Sequence, residues 1–307
     1  MGISKGNKYN YTAFGLVISS EIRLPGFLVC DESAADVSII LGKIPQRIKD
    51  LSTEKTEYRV SLKELYFDIN EVKYYIKDGS QIIVEIPEKP DYATIYVCLT
   101  GICMATILLQ RGFIPIHGSC IVIDGKGIVL TGNSGAGKSS LCFAFRQQQY
   151  EFLSDDISVI SPDDADEIMV YPSHPQQRLD RQLLKKMGYE FLASDTSSFD
   201  GKIVINSTHR FRNKPVPLAA IFELRKGNGE VRCKRVTGTE KIRSIIDNTI
   251  YASVFSSLGI STDYFLKYVK IAREVDYFIL ERPWRGDSIK EQMRHIIDYM
   301  SREHDVT

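Results

Sequence analysis

A run of glycines followed by a lysine and a serine has the residue types needed to bind the phosphates of a nucleotide. Residues 132–139 read GNSGAGKS and match the pattern G-x-x-x-x-G-K-[ST] at every fixed position. Glycines let backbone N–H groups turn toward phosphate oxygens, the lysine neutralises the outer phosphates, and the serine hydroxyl binds Mg²⁺. The motif therefore predicts a nucleotide site that uses Mg²⁺. Its predicted phosphate-binding residues are Gly132, Asn133, Ser134, Gly135, Ala136, Gly137, Lys138, Ser139 and Ser140.

Two adjacent carboxylates, Asp155 and Asp156, follow the motif within a run of strand character at residues 151–160. In a parallel α/β sheet, the strand beside a phosphate-binding loop brings its end toward the phosphates. One carboxylate could then hold Mg²⁺ while the other takes the proton of an acceptor hydroxyl. We predict Asp156 as the base, and Asp155 with Ser139 as the Mg²⁺ ligands. Alternation along the strand would place the two aspartates on different sides, and the alternative is a capped turn without catalytic role.

A histidine and an arginine are further candidates. His117 ends a short apolar run ahead of the loop, where a lone histidine is more often structural than catalytic. Arg178, Arg210 and Arg212 have the planar guanidinium that suits a transferred phosphoryl group, although each could be a surface residue. We rank Arg178 first because it follows a proline-containing loop after the carboxylate strand.

The strands and helices that must position these residues predict an α/β fold for the catalytic part. Together with the β-rich N-terminal part, the chain is predicted to be α+β overall. Residues 127–131 read as a buried strand, 138–149 as a helix whose amino terminus faces the anion, and 218–224 as another central strand. These runs belong to a predicted catalytic domain at residues 91–307, which ends in a packed helical segment. Residues 1–90 show short β-like runs separated by turn signals, which predicts a small antiparallel, β-rich N-terminal domain.

Composition and charge limit the kinds of binding partner and the cellular compartment that we expect. The 39 Lys and Arg residues balance 39 Asp and Glu residues, so no overall field attracts nucleic acid or an anionic membrane. The uncharged run at residues 92–109 has about the minimum length of a bilayer span, but its polar residues favour a buried core helix. The six cysteines show no paired spacing, and residues 1–15 show no signal peptide or lipidation motif. We expect a cytoplasmic protein with no nucleic-acid or membrane partner.

The ordered set His117-Gly118, GNSGAGKS and LSDD resembles the catalytic domain of HPr kinase/phosphorylase, a bacterial serine kinase whose fold is related to phosphoenolpyruvate carboxykinase. The resemblance is good over residues 113–160 and absent before residue 90. It implies a P-loop kinase that uses ATP and Mg²⁺. It also implies that His117 supports the reacting carboxylate, Lys138 contacts the phosphates, Ser139 binds Mg²⁺ and Asp156 deprotonates an acceptor serine. A second metal ligand is unassigned, with Asp180 as a guess.

Two shorter segments, FGLVISSEIRLPGF and HPQQRLD, resemble a branch of these kinases from lasso peptide biosynthesis that phosphorylates the C-terminal serine of the precursor peptide. The implied partner is a peptide or small protein with an acceptor serine. Two other functions stay open at this point: a nucleotide-gated regulatory or binding module, and a kinase of a small-molecule hydroxyl. Assembly into a homo-oligomer is also left open.

Overall fold

The computed structural model describes residues 8–49, 58–60, 63–163, 167–192, 196–197, 201–250, 260–284 and 286–304. The chain divides into two compact units, the first formed by residues 1–115 with 250–265 and the second by residues 116–249 with 266–307. The division therefore falls later than the predicted boundary near residue 91. The reason is that the apolar helical run after residue 91 belongs to the first unit. The predictions on the first seven residues lie outside the described part of the chain.

The first unit is built around one sheet with the strand order β3-β1-β2-β4-β8-β7-β6-β5. Its strands are β1 (Tyr9–Ala13), β2 (Leu16–Ser20), β3 (Leu28–Val29), β4 (Val37–Leu41), β5 (Tyr58–Val60), β6 (Glu64–Ile69), β7 (Val72–Lys77) and β8 (Gln81–Glu85). The prediction of a purely antiparallel sheet was wrong at β4, which pairs in parallel with both β2 and β8. The connections on either side of β4 are long enough for parallel crossovers, which a hairpin turn cannot provide.

Helices of the first unit include the apolar run that the sequence singled out. They are α1 (Gln46–Lys49), α2 (Tyr92–Cys98) and α3 (Met104–Gln110), with a π-helical turn at Leu99–Cys103 joining the last two. By length and composition the continuous run Tyr92–Gln110 could cross a membrane, but 56% of its apolar window is buried inside the protein. Cys103 and Leu108 are fully buried. This burial is typical of a core helix, as predicted.

The rest of the described chain forms the elements around the loop motif at residues 132–139. Its strands are β9 (Ile114–Ile123), β10 (Lys126–Thr131), β11 (Glu151–Ser154), β12 (Ile157–Ser161), β13 (Met169–Tyr171), β14 (Gln176–Leu179), β15 (Thr196–Ser197), β16 (Ile203–Asn206), β17 (Val216–Gly227), β18 (Arg232–Arg235) and β19 (Asp276–Pro283). Its helices are α4 (Lys138–Gln147), α5 (Arg181–Lys186), α6 (Gly238–Asp247), α7 (Thr262–Glu274) and α8 (Ile289–His304). A mixed α/β structure with several sheets results, as predicted at this coarse level.

The main sheet of the second unit has the strand order β10-β9-β12-β13-β17-β19-β18, and β10 also pairs with β17. Strand β17 pairs in parallel with β10 on one side and with β19 on the other, so the carboxyl ends of these three strands meet at one edge. A smaller sheet has the order β14-β16-β15. The core between strands and helices includes Phe145, Phe152, Phe222, Leu280 and Ile296. Ile296 belongs to the apolar stripe on α8, so the predicted packing of the final helix is confirmed.

Candidate active site

The loop that follows β10 turns directly into α4, and it contains the predicted phosphate-binding residues. Gly132 has φ of +125°, and a Cβ at that position would lie 2.4 Å from the backbone oxygen of Leu224. Gly137 has φ of +108° immediately before the first turn of α4. L-residues rarely adopt these conformations, which explains the glycines. The loop places backbone N–H groups and the positive end of the α4 dipole where an anion can bind.

Lys138 reaches from the first turn of α4 into this loop. Its Nζ donates to the carbonyl oxygens of Gly132 at 2.7 Å and Asn133 at 3.2 Å, and the residue is only 8% exposed. Burial lowers the pKa of Lys138, while the nearby carboxylates of Asp156 and Asp155 favour its charged form. The ammonium group therefore lies inside the loop that would hold phosphates, where the charges of both aspartates act on it.

The carboxylate pair lies in a bend between two strands, which corrects the prediction of one continuous strand over residues 151–160. β11 ends at Ser154, β12 begins at Ile157, and Asp156 has φ of +81°. Aspartate tolerates this left-handed conformation better than most residues, because its short side chain can hydrogen-bond locally. The bend, rather than strand alternation, gives Asp155 and Asp156 different surroundings.

Asp155 is buried and accepts hydrogen bonds from two groups. The Ser119 hydroxyl donates to its Oδ1 at 2.5 Å, and the backbone N–H of Arg178 donates to its Oδ2 at 3.2 Å. The nearby Ser139 hydroxyl also favours the charged form of this carboxylate. Burial raises the pKa of Asp155, and the charge of Asp156 adds to this shift, while the hydrogen bonds oppose it. The hydrogen bonds from β9 and β14 fix the orientation of the carboxylate.

Asp156 is the more accessible carboxylate, with 42% of its side chain exposed. The Arg178 guanidinium donates to its Oδ2 at 2.7 Å. His117 Nδ1 lies 3.7 Å from its Oδ1, which is beyond a good hydrogen bond but close enough for an electrostatic contact. Two of the other predicted catalytic residues, His117 and Arg178, thus flank the predicted base, and the charge of Asp156 acts on the third, Lys138.

His117 is held by its backbone on β9. Its N–H donates to the Asn248 carbonyl at 2.9 Å, and its own carbonyl accepts from the Thr131 hydroxyl at 2.9 Å. Burial lowers the pKa of the imidazole, and the Lys138 charge lowers it further, against the opposing effect of Asp156. The lowered pKa favours the neutral imidazole, which faces the Asp156 carboxylate.

The other arginine candidates and Asp180 lie elsewhere. Arg210 hydrogen-bonds Gln149, and Arg212 forms an ion pair with Glu151 at 3.0 Å at the amino end of β11, opposite the carboxylate pair. Asp180 caps α5 by accepting from the N–H groups of the two residues at positions 182 and 183. The structure therefore does not bring these three residues to the loop, and Asp180 is a helix cap rather than a metal ligand.

Two cations beside the loop were missed by the sequence reasoning. Arg282 at the end of β19 donates through Nε to the Ala136 carbonyl at 2.7 Å and through Nη2 to the Gly135 carbonyl at 3.3 Å. Lys226 at the end of β17 places Nζ 3.6 Å from where a Cβ of Gly135 would stand. These residues are distant from the motif in sequence. The rule that parallel strands end at the ligand-binding edge could have indicated them.

The donors near the loop fit Mg²⁺ only as part of a nucleotide complex. Among the described residues, no group of three or more His, Cys, Asp or Glu side chains could hold a metal ion. The Ser139 hydroxyl and the Asp155 carboxylate are oxygen donors of the kind that Mg²⁺ prefers, and they lie close enough for the hydroxyl to favour the charged carboxylate. In nucleotide sites Mg²⁺ commonly has few protein ligands and completes its octahedron with phosphates and water. Ser139 and Asp155 are therefore compatible with Mg²⁺ held jointly with phosphates.

Comparisons with known proteins give little further information. No protein-family model matches the chain, and no curated protein matches it. Among solved structures, the HPr(Ser) kinase/phosphatase from Coxiella burnetii aligns with 62% of this chain and 96% of its own, at 10% sequence identity and a TM-score of 0.32. A superposition this loose supports no conclusion about activity, so the function must be argued from the site.

Proposed function

We propose that this protein is an ATP- and Mg²⁺-dependent kinase that phosphorylates a serine hydroxyl on a peptide or small protein. The observation that carries the proposal is the half-exposed Asp156 carboxylate, which Arg178 holds at 2.7 Å, which follows the buried Asp155, and whose charge acts on Lys138 in the loop. A base for the acceptor, a cation for the phosphates and an acidic Mg²⁺ ligand are the parts that phosphoryl transfer requires. The catalytic unit would then be of the P-loop, HPr-kinase-like type.

The loop at residues 132–139 would bind the phosphates of ATP. Backbone N–H groups of residues 132–139, the α4 dipole and the Lys138 ammonium would hold the phosphates and stabilise charge on them. Arg282 would stabilise the conformation of the loop through its hydrogen bonds to the carbonyls of Gly135 and Ala136. When bound by Ser139, Asp155 and the phosphates, Mg²⁺ would neutralise further negative charge.

At the acceptor end, Asp156 would take the proton of the serine hydroxyl. The serine oxygen forms a bond to the γ-phosphorus, the bond from that phosphorus to the bridging oxygen breaks, and ADP leaves with the electron pair. Arg178 positions Asp156 through its 2.7 Å hydrogen bond and can turn toward the transferred group. His117, whose Nδ1 lies 3.7 Å from Asp156 Oδ1, would orient the carboxylate.

The acceptor class can be tested directly with γ-labelled ATP. The protein is incubated with three matched peptides, one ending in serine, one with an internal serine and one without serine, and with a no-peptide control. We expect label on serine, and the lasso peptide resemblance narrows the expectation to the C-terminal serine. Release of inorganic phosphate regardless of peptide would instead indicate a nucleotide-gated module. Absence of label from all peptides, with transfer to free serine or a sugar, would indicate a small-molecule kinase.

A further inference from the structure

Trp284 is an exposed aromatic side chain at the end of β19. It is the single tryptophan of the chain, and it is 62% exposed. Its backbone N–H donates to the Gly227 carbonyl at 3.0 Å, so the residue is tied to the end of the neighbouring strand β17. An indole ring kept at the surface on an anchored backbone is well suited to a ligand with one apolar face.

The position of Trp284 relative to the phosphate-binding loop follows from the sheet. β10, β17 and β19 run in parallel, so the loop, Gly227 and Trp284 all lie at the carboxyl edge, where α/β sheets bind ligands. Two residues before Trp284, Arg282 is hydrogen-bonded to the loop carbonyls of Gly135 and Ala136. The strand end that carries the indole is therefore fastened to the loop itself.

Lys226 connects the indole to the loop. Its Nζ lies 4.2 Å from the centroid of the Trp284 ring, a cation–π contact. The same ammonium lies 3.6 Å from the position that a Cβ of Gly135 would occupy. In register, Lys226 pairs with Arg282 across β17 and β19, so both cations stand at the same level of the sheet. Arg282 contacts the phosphate-binding loop, Lys226 lies beside it, and the Trp284 ring lies next to Lys226.

We propose that Trp284 is the platform on which the base of a purine nucleoside triphosphate stacks, with Lys226 between the base and the phosphates. The proposal rests on the nucleotide binding in the proposed function and adds the subsite for the base. Stacking on an aromatic ring tolerates different bases, because each base has a π face. ATP and GTP are therefore expected to bind with similar affinity, and pyrimidine nucleotides more weakly because their rings are smaller.

The test compares ATP with tripolyphosphate, which has the phosphates but no base. Isothermal calorimetry is run on the wild type, Trp284→Ala and Trp284→Phe. We expect Trp284→Ala to weaken ATP about tenfold, the low end of the effect of losing a base–aromatic stack, and to leave tripolyphosphate affinity unchanged. Trp284→Phe keeps a ring and should return ATP affinity to within about threefold of the wild type. Thermal melting confirms that both variants fold.

The single tryptophan offers an independent readout. Stacking should quench Trp284 fluorescence on addition of ATP, with the same midpoint as calorimetry. Equal ATP affinity in the wild type and Trp284→Ala, with ATP no tighter than tripolyphosphate, would overturn the base platform and leave phosphate binding standing. Failure of the wild type to bind either compound would overturn the proposed nucleotide site together with this subsite.

Discussion

Replacing Asp156 with asparagine removes the proposed base with little other change. Asparagine has the same size, keeps an oxygen that can accept the 2.7 Å hydrogen bond from Arg178, and tolerates φ of +81° as aspartate does. Alanine would fail on all three counts. Asp156→Asn is therefore the variant in which lost activity reports the lost proton acceptor rather than a distorted bend.

The expected loss follows from what a general base contributes. Removing one typically costs about 10²- to 10⁴-fold in rate, equivalent to about 3 to 5 kcal/mol of transition-state stabilisation. The weakened contact to Arg178 adds little, because 42% of the Asp156 side chain is exposed and exposed ion pairs are worth at most about 1 kcal/mol. ATP affinity should stay within about threefold, since removing a negative charge near the phosphates does not oppose binding.

The assay measures kcat for transfer from labelled ATP to the serine peptide chosen by the labelling experiment, and the Kd for ATP by calorimetry. The matched control is Asp163→Asn, which lies beyond the other end of β12, has a side chain 63% exposed and pairs with Lys267. We expect the control to behave as the wild type. A kcat for Asp156→Asn within tenfold of the wild type would show that Asp156 is not the base.

Further predictions concern the loop and a buried histidine. Lys138→Ala should weaken ATP binding about 10- to 100-fold by calorimetry and lower turnover, because a charged hydrogen-bond donor to the phosphates is lost; unchanged affinity would contradict its role. Gly132→Ala should lower the melting temperature by about 10 °C or more, or prevent folding, because the new Cβ would lie 2.4 Å from the Leu224 oxygen at φ of +125°. A wild-type melting curve would show that the loop has another conformation. Burial lowers the pKa of His174 to about 4. As pH falls from 6.5 toward 4, the unfolded state therefore binds a proton that the folded state does not, and stability is lost. Between pH 8 and pH 5, the free energy of unfolding measured by urea titration should fall by about 2 kcal/mol less in His174→Gln than in the wild type. The same pH dependence in the variant and the wild type would contradict this.

The parts of the site that sequence could predict are those that are local in the chain. The loop motif specifies its own strand, turn and helix within a few residues, and β10 and α4 lie where the pattern placed them, with the helix end differing by two residues. His117 and Arg178, two of the predicted catalytic residues, both lie beside Asp156. The resemblance linked His117 to Asp156. Arg178 was predicted only as an arginine for the phosphoryl group, and no local pattern joined it to Asp156.

The missed features depend on contacts that are distant in sequence. A run of β-forming residues continues on both sides of the aspartates, so nothing in its periodicity reveals the left-handed conformation at Asp156. Lys226 and Arg282 reach the loop because β17 and β19 are its parallel neighbours, and strand order is set by tertiary packing. The parallel pairings of β4 in the first unit were missed for the same reason.

The bend between β11 and β12 gives the side chains of Asp155 and Asp156 different hydrogen-bond partners. Both oxygens of Asp155 already accept hydrogen bonds, one from Ser119 and one from the Arg178 backbone. Asp156 Oδ2 receives the Arg178 guanidinium, while its Oδ1 faces His117 at 3.7 Å, beyond hydrogen-bond range. Among the described residues no hydrogen bond reaches Asp156 Oδ1, so this is the oxygen of the pair that we expect a substrate hydroxyl to meet. Because Arg178 holds Asp155 by its backbone and Asp156 by its side chain, the guanidinium can leave Asp156 without moving the carboxylate assigned to Mg²⁺.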